Sequence, residues 1–243
     1  MIKVTLLTYT PEPEKVIAAA AKLCYSHSDA ATLYDGLDED KTTSFLERLT
    51  NLGHASPTEH ATFTFAIDGI SRACSHQLVR HRLASYSQQS QRYVKMDNSY
   101  EYVVPPAVMR NTELLDWYLD KMESYYDDYT VLQEELQGYY MDDGLDRAIA
   151  EKKANEDARY LLPNAAETKI VVSMNARELL HFFNVRCCNR SQWEIREVAD
   201  QMLRLVKPIA PTLFKYAGPN CLYGMCSEGR MCCGTGRKPE EFE

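Results

Sequence analysis

The sequence predicts an α+β fold, with a central antiparallel or mixed sheet and flanking helices. Three observations carry this. Strand-like and helix-like segments mix along the chain without strict alternation. No G-x-G-x-x-G follows a strand, so a doubly wound dinucleotide fold is unsupported. The 243 residues are 45 % apolar, enough for one large domain with its own core.

The elements follow in order. Residues 2–9, IKVTLLTY, are β-branched and apolar and predict a first strand. After Pro11 and Pro13, the apolar residues Val16, Ile17, Ala20 and Cys24 fall at helical spacing. A second helix is expected from Lys41 to Leu52, with Phe45, Leu46, Leu49 and Leu52 on one face and Gly53 as its stop. SPTE at 56–59 has the residues of a capping box: Ser56 to cap, Pro57 at the first position, Glu59 to reach back. Phe63, Phe65 and Ile67 alternate as in a half-buried strand, and Asp68-Gly69 predicts a turn. Ser71 then caps a helix to about Arg82, and residues 85–91 read as a polar loop.

YEYVVPP at 100–106 predicts a strand stopped by two prolines. Residues 112–139 and 145–162 predict helices separated by Asp142-Asp143-Gly144. TKIVVSMN at 168–175 predicts a strand, followed by helices over 176–188 and 191–206. From Pro208, proline, glycine and cysteine replace periodic sequence. The expected organisation is one domain over 1–218 and a Cys/Gly-rich tail over 219–243.

The net charge of −8 excludes a general nucleic-acid binder, which needs a basic surface. No segment reaches the roughly 18 apolar residues of a membrane span. The N-terminus lacks a signal-peptide pattern, so a cytoplasmic protein with reduced thiols is expected. Cys24 and Cys74 sit in apolar helical patterns and are expected to be buried.

Charge distribution is more informative than its sum. Residues 69–96 contain no Asp or Glu but hold Arg72, Arg80, Arg82, Arg92 and Lys95. This is either a solvated basic face or a socket for a phosphate, where arginine supplies forked donors. Gln77 and Arg80, three apart, are expected to share a helix face, and Gln can read an amide-like edge such as uracil. Gln88, Gln89, Ser90 and Gln91 add neutral donors. Further along, Arg177, His181 and Asn184 make one polar stripe, with Arg186 roughly opposite. That helix has either two ligands or a ligand and a neighbouring subunit.

The six histidines show no metal-ligand spacing, and no nucleophile triad is readable. The tail cysteines Cys221, Cys226, Cys232 and Cys233 are irregularly spaced and read as reduced, flexible thiols rather than a metal site.

Arg80-His81-Arg82, seven residues, then Ser90 and Arg92 resembles the signature of the flavin-dependent thymidylate synthases. HASPTEH at 54–60, Arg159 before LLP, NARELLHFFNVR at 175–186 and QWEIR at 192–196 resemble that family's other motifs, in order. The resemblance implies a homotetramer making dTMP from dUMP. Methylenetetrahydrofolate would give the carbon, NADPH the reducing equivalents, and FAD would carry the hydride. It implies Gln77, Arg80, Gln88, Ser90, Gln91, Arg92, Arg159 and Arg186 around dUMP, with Gln89 in the same loop. It implies Ser56, Arg80, His81, Arg82, Gln88, Asn175, Arg177 and His181 around FAD. His54 would lie at the folate or nicotinamide entrance. Arg186 has the implied catalytic role of stabilising negative charge on the pyrimidine. Gln88 departs from a common Glu, and His181 from an Asn. Without flavin, the same arginines would suit a non-catalytic nucleotide- or RNA-binding module.

Overall fold

The computed structural model describes residues 1–96 and 101–242. The strands are β1 (Lys3–Tyr9), β2 (Thr62–Ser71), β3 (Ala84–Gln88) and β4 (Glu167–Asn175). The helices are α1 (Pro13–Leu23), α2 (Ala30–Asp35), α3 (Glu39–Asn51), α4 (Arg72–Leu78), α5 (Pro106–Met109), α6 (Thr112–Asp142), α7 (Arg147–Ala158), α8 (Ala176–Arg186) and α9 (Trp193–Val206). The strand order is β1-β2-β4-β3. β1 and β2 pair antiparallel, Lys3 facing Asp68 and Tyr9 facing Phe63. β4 also runs antiparallel to β2: Thr64 Oγ1 meets Ser173 Oγ at 2.8 Å, while the Arg72 N–H donates to the Ala166 carbonyl at 3.0 Å. The expected α+β class is the observed one.

The residues group into two compact units. The first holds Gly69–His76 and Gln88–Ile170, including α6 and α7. Its core is formed by Tyr129 and Met122 of α6 with Ala150, Ala154 and Ala158 of α7. The second unit holds Ile2–Asp68, Gln77–Ser87 and Val171–Glu243. Its core is aromatic. Phe63 packs edge-on against Phe214 with centroids 5.6 Å apart, and Phe183 meets the same ring at 5.9 Å. Phe63, Phe65 and Ile67 are fully buried, as their alternation predicts. Among the described residues, no helix is long and apolar enough to cross a membrane.

Several expectations need correction. Asp68-Gly69 makes no turn: β2 continues to Ser71, and Gly69 stays in the strand at φ 74°. Residues 84–88 form β3, hidden in the sequence because small polar side chains alternate there instead of apolar ones. At 100–106, Tyr100 lies outside the described residues, and only an isolated bridge forms, between Tyr102 and Ala166. Pro105 and Pro106 lack the N–H groups that would extend it. SPTE makes a 3-10 turn over Ser56–His60 with no side-chain cap, and Glu59 pairs with Arg177 instead. α4 stops at Leu78, short of Arg82, although the Ser71 cap forms: its Oγ accepts from the Cys74 N–H at 3.0 Å. Leu52 and Cys24 are exposed, while Cys74 is buried. The short helices α2 and α5 carry too little periodicity to be read from sequence.

The end of the tail is packed, not free. Its regular structure is limited to 3-10 turns, but Phe242 is fully buried. Arg237 reaches Asp200 on α9, Nη2 to Oδ2 at 2.9 Å, and also donates to the Cys187 carbonyl at 3.1 Å.

Two glycines test the backbone reading with opposite signs. Gly69→Ala forces an L side chain to φ 74° and should lower stability by about 1–2 kcal/mol. Gly138 lies inside α6, and a methyl group added there would meet no atom within 4 Å. Gly138→Ala should therefore raise stability by up to about 1 kcal/mol. Urea midpoints of the two variants check both signs.

Candidate functional site

In the second unit the site is built around the C-terminal end of α4. The last carbonyls of a helix lack intrahelical donors. Tyr86 of β3 supplies one: its hydroxyl donates to the carbonyls of Leu78 and His81, at 2.9 and 2.8 Å. This clasp turns the chain sharply, leaving Arg80 and Arg82 exposed and His81 buried. The His81 ring meets Phe182 edge-on at 4.8 Å. Its Nδ1 lies 3.3 Å from Glu178 Oε1, and its Nε2 accepts from Arg186 Nε at 3.0 Å. A nitrogen that accepts carries no proton, so the ring is neutral with its proton on Nδ1. Burial, then the charges of Arg186 and His181, hold its pKa down to about 4. The carboxyl of Glu178 therefore faces a neutral ring and makes no ion pair with it.

Arg186, at the end of α8, lines a cleft of about 400 Å³ with Gln77, Asn184, Arg190, Gln192 and Asn220. The tail closes part of it, since Arg190 Nη1 pairs with Glu228 Oε2 at 2.6 Å. A more apolar cleft of about 300 Å³ is lined by His54, Thr58, Leu180, Leu213 and Tyr216. Asn184 lines both and hydrogen-bonds Asn220. Asn175 caps α8, its Oδ1 accepting from the Glu178 N–H at 2.9 Å. His181 and Ser56 are exposed. Cys187 is buried, and burial with the neighbouring Asp200 pushes its thiol well above the ordinary range, so it is no nucleophile at neutral pH.

In the first unit, Gln88, Gln89, Ser90, Gln91 and Arg92 follow one another out of β3. Gln88 Nε2 donates to Ser75 Oγ and Thr168 Oγ1, at 3.0 and 3.2 Å, which fixes the strand end. Ser90 Oγ accepts from the Arg92 N–H at 3.2 Å and shapes the turn. Arg92 Nη2 pairs with Glu156 at 2.8 Å, and Arg159 Nε donates to the Glu156 carbonyl at 3.0 Å. Arg72, to which the sequence alone gives no role beyond its place in the acid-free window, donates from Nη2 to the Gln89 carbonyl at 3.0 Å. Burial, then the like charge of Arg159, pulls the Arg72 pKa down. Among the described residues, the Nε atoms of Arg72 and Arg92 are buried without a hydrogen-bond partner. Buried donors that lack an acceptor suit an anion.

Two groups of residues with this chemistry can be set beside known proteins. Residues 5–212 match the family model described as thymidylate synthase complementing protein. The chain is 52 % identical to a flavin-dependent thymidylate synthase of Clostridium tetani, over 96 % of this chain and 93 % of that one. It is 51 % identical to one of Geobacter sulfurreducens, over 96 % and 94 % of the two chains. An archaeal relative of the same name, from Pyrococcus furiosus, is 40 % identical over 94 % and 90 %. This chain belongs to the flavin-dependent thymidylate synthase family. The reading as a non-catalytic nucleotide- or RNA-binding module finds no support in these relatives.

Two features of the site, Glu178 and Tyr86, become evident only in the fold. Glu178 stands on a buried face between Ala176 and Leu179, and a carboxylate there needs a partner. That is the signal that could have pointed to it. Tyr86 gives no such signal, because its role depends on carbonyls that only the folded α4 brings within reach. Among the described residues, no three His, Cys, Asp or Glu side chains gather as metal ligands.

Proposed function

We propose that the chain converts dUMP to dTMP, taking the carbon from methylenetetrahydrofolate and two electrons from NADPH through FAD. The overall reaction balances as dUMP, methylenetetrahydrofolate, NADPH and a proton giving dTMP, tetrahydrofolate and NADP⁺. The observation that carries this reading is Arg186 held by a neutral, buried His81 at the wall of the cleft that also presents Gln77.

Arg186 keeps its charge at any working pH, and beside a pyrimidine it stabilises negative charge on the ring. The 5-carbon then becomes nucleophilic without a thiol adding to the ring. Gln77 offers a donor and an acceptor to the uracil amide edge. In the first unit, the orphaned Nε donors of Arg72 and Arg92 suit a phosphate, and Ser90, Gln89, Gln91 and Arg159 belong to the proposed dUMP set as well.

The donor set also fits FAD. The exposed guanidinium groups of Arg80 and Arg82 suit its diphosphate, and Arg177, His181, Asn175, Ser56 and Gln88 complete the proposed set. FAD, when bound, supplies the hydride chemistry that no side chain here can. His81 has both ring nitrogens engaged within the chain, so its support to the flavin is through position. His54, lining the more apolar cleft, is proposed at the folate or nicotinamide entrance. A homotetramer in the cytoplasm, with residues 1–218 as the catalytic domain, completes the proposal.

The test is direct. Purified protein supplied with FAD should retain a visible flavin band and release tritium from 5-tritiated dUMP only when methylenetetrahydrofolate and NADPH are present. A colourless protein without FAD affinity would sink the reading.

A further inference from the structure

We propose that Glu178 is a positioning residue for Arg186, acting through His81. The inference rests on the proposed role of Arg186 and adds to it a named chain of atoms. Glu178, Phe182 and Arg186 recur every four residues on α8 and so share a face. His81 packs onto that face from the end of α4, its ring edge-on to Phe182 at 4.8 Å. Glu178 Oε1 lies 3.3 Å from Nδ1, and Nε2 accepts from Arg186 Nε–H at 3.0 Å.

The order of donors matters. An imidazole can accept at Nε2 only if its proton is on Nδ1, and the carboxyl oxygen facing that nitrogen is Glu178 Oε1. With no acceptor at Nδ1, the ring is free to carry its proton on Nε2, where it would point a donor at the Arg186 donor. The guanidinium plane would then lose its anchor at the cleft wall. Glu178 and His81 are both buried, at 6 % and 7 % exposure, so water does not substitute readily for either partner.

Other titratable groups face the pair. His181, on the same helix, favours the charged form of Glu178 and disfavours that of His81. Burial is the larger influence on each and favours a neutral carboxyl as well as a neutral ring. Tyr86, across from them on β3, holds the His81 carbonyl at 2.8 Å and stays protonated because burial, then Glu178, pushes its pKa up.

Two variants of similar size separate position from packing. Glu178→Leu fills the space without an acceptor and should lower kcat by about 10–100-fold, the usual range for a lost orienting partner at a reactive site. KM for dUMP and FAD affinity should change by less than about threefold in the same variant. Glu178→Gln keeps an oxygen acceptor and should recover most of the turnover. In parallel, nitrogen-15 spectra of histidine-labelled, unsubstituted protein read the tautomer directly. His81 should show a protonated Nδ1 and an unprotonated Nε2, unchanged from pH 8 to pH 5.5.

A His81 protonated at Nε2, or a fully protonated ring in that range, overturns the proposal. So does a Glu178→Leu protein with unaltered kcat, or a Glu178→Gln protein no better than Glu178→Leu. If Glu178→Leu fails to fold, the glutamine variant and the spectrum still decide. Absence of tritium release from the unsubstituted protein would overturn the functional reading instead, and the spectrum alone would then decide whether the Glu178–His81–Arg186 chain exists.

Discussion

Arg186→Ala should lower turnover by roughly 100- to 1,000-fold, the range seen when a preorganised donor to developing negative charge is removed. FAD binding should change by only a few-fold, because the proposed flavin donors Arg80 and Arg82 lie outside this substitution. The reason for so large an effect is chemical. Cys187, next to Arg186 in the chain, is buried, and its thiol is pushed far above neutral pH. In the proposed mechanism, polarisation of the ring by a fixed positive charge does the work that covalent addition would otherwise do. The variant has a second signature. Arg186 is one of the charges holding the His81 pKa near 4, so its removal should let that ring titrate closer to its ordinary value. Equal loss of turnover and flavin binding would count against the pyrimidine role.

Arg237→Ala should cost about 3 kcal/mol of stability, since breaking a buried pair leaves one charge uncompensated. Arg237 and Asp200 side chains are 8 % and 7 % exposed, and the guanidinium also stacks over Phe242 at 4.6 Å from its centroid. The expected drop in Tm is on the order of 10 °C for a chain of this size. Its pH dependence has a definite sign. Burial already pushes the Asp200 carboxyl up against the pull of Arg237, and without Arg237 it rises further. A folded carboxyl with a raised pKa stabilises below its unfolded pKa and loses that contribution as pH rises through the folded value. The deficit of the variant should therefore be smaller at pH 5 than at pH 8. Thermal scans at both values check this, and Arg237→Met with Asp200→Leu should recover much of the loss.

What could be read in advance followed from local chemistry. β1, β2, β4 and the long α6 announce themselves by apolar period, and the acid-free window drew attention to Arg72, Arg80, Arg82 and Arg92. β3 escaped because Ser85, Ser87 and Gln88 carry no hydrophobic signal, and its pairing is decided by β4. Asp68-Gly69 looked like a turn because that dipeptide favours positive φ, and β2 uses that freedom at Gly69 without reversing direction. α4 ended early because Tyr86 satisfies its last carbonyls from another element. At the site, single residues were legible and partnerships were not. That His81 Nε2 accepts from Arg186, with Glu178 facing its Nδ1, is visible only in the fold. Arg72 lay inside the acid-free window, but its orphaned Nε becomes visible only once burial is known.

The central claim is that this chain methylates a pyrimidine with a hydride delivered through FAD rather than taken from the folate. The folate product tests it most directly. With dUMP, methylenetetrahydrofolate, NADPH and FAD-loaded protein, dTMP should appear together with an equal amount of tetrahydrofolate. Dihydrofolate formed in equal amount to dTMP would contradict the account, because the hydride would then have come from the carbon donor itself.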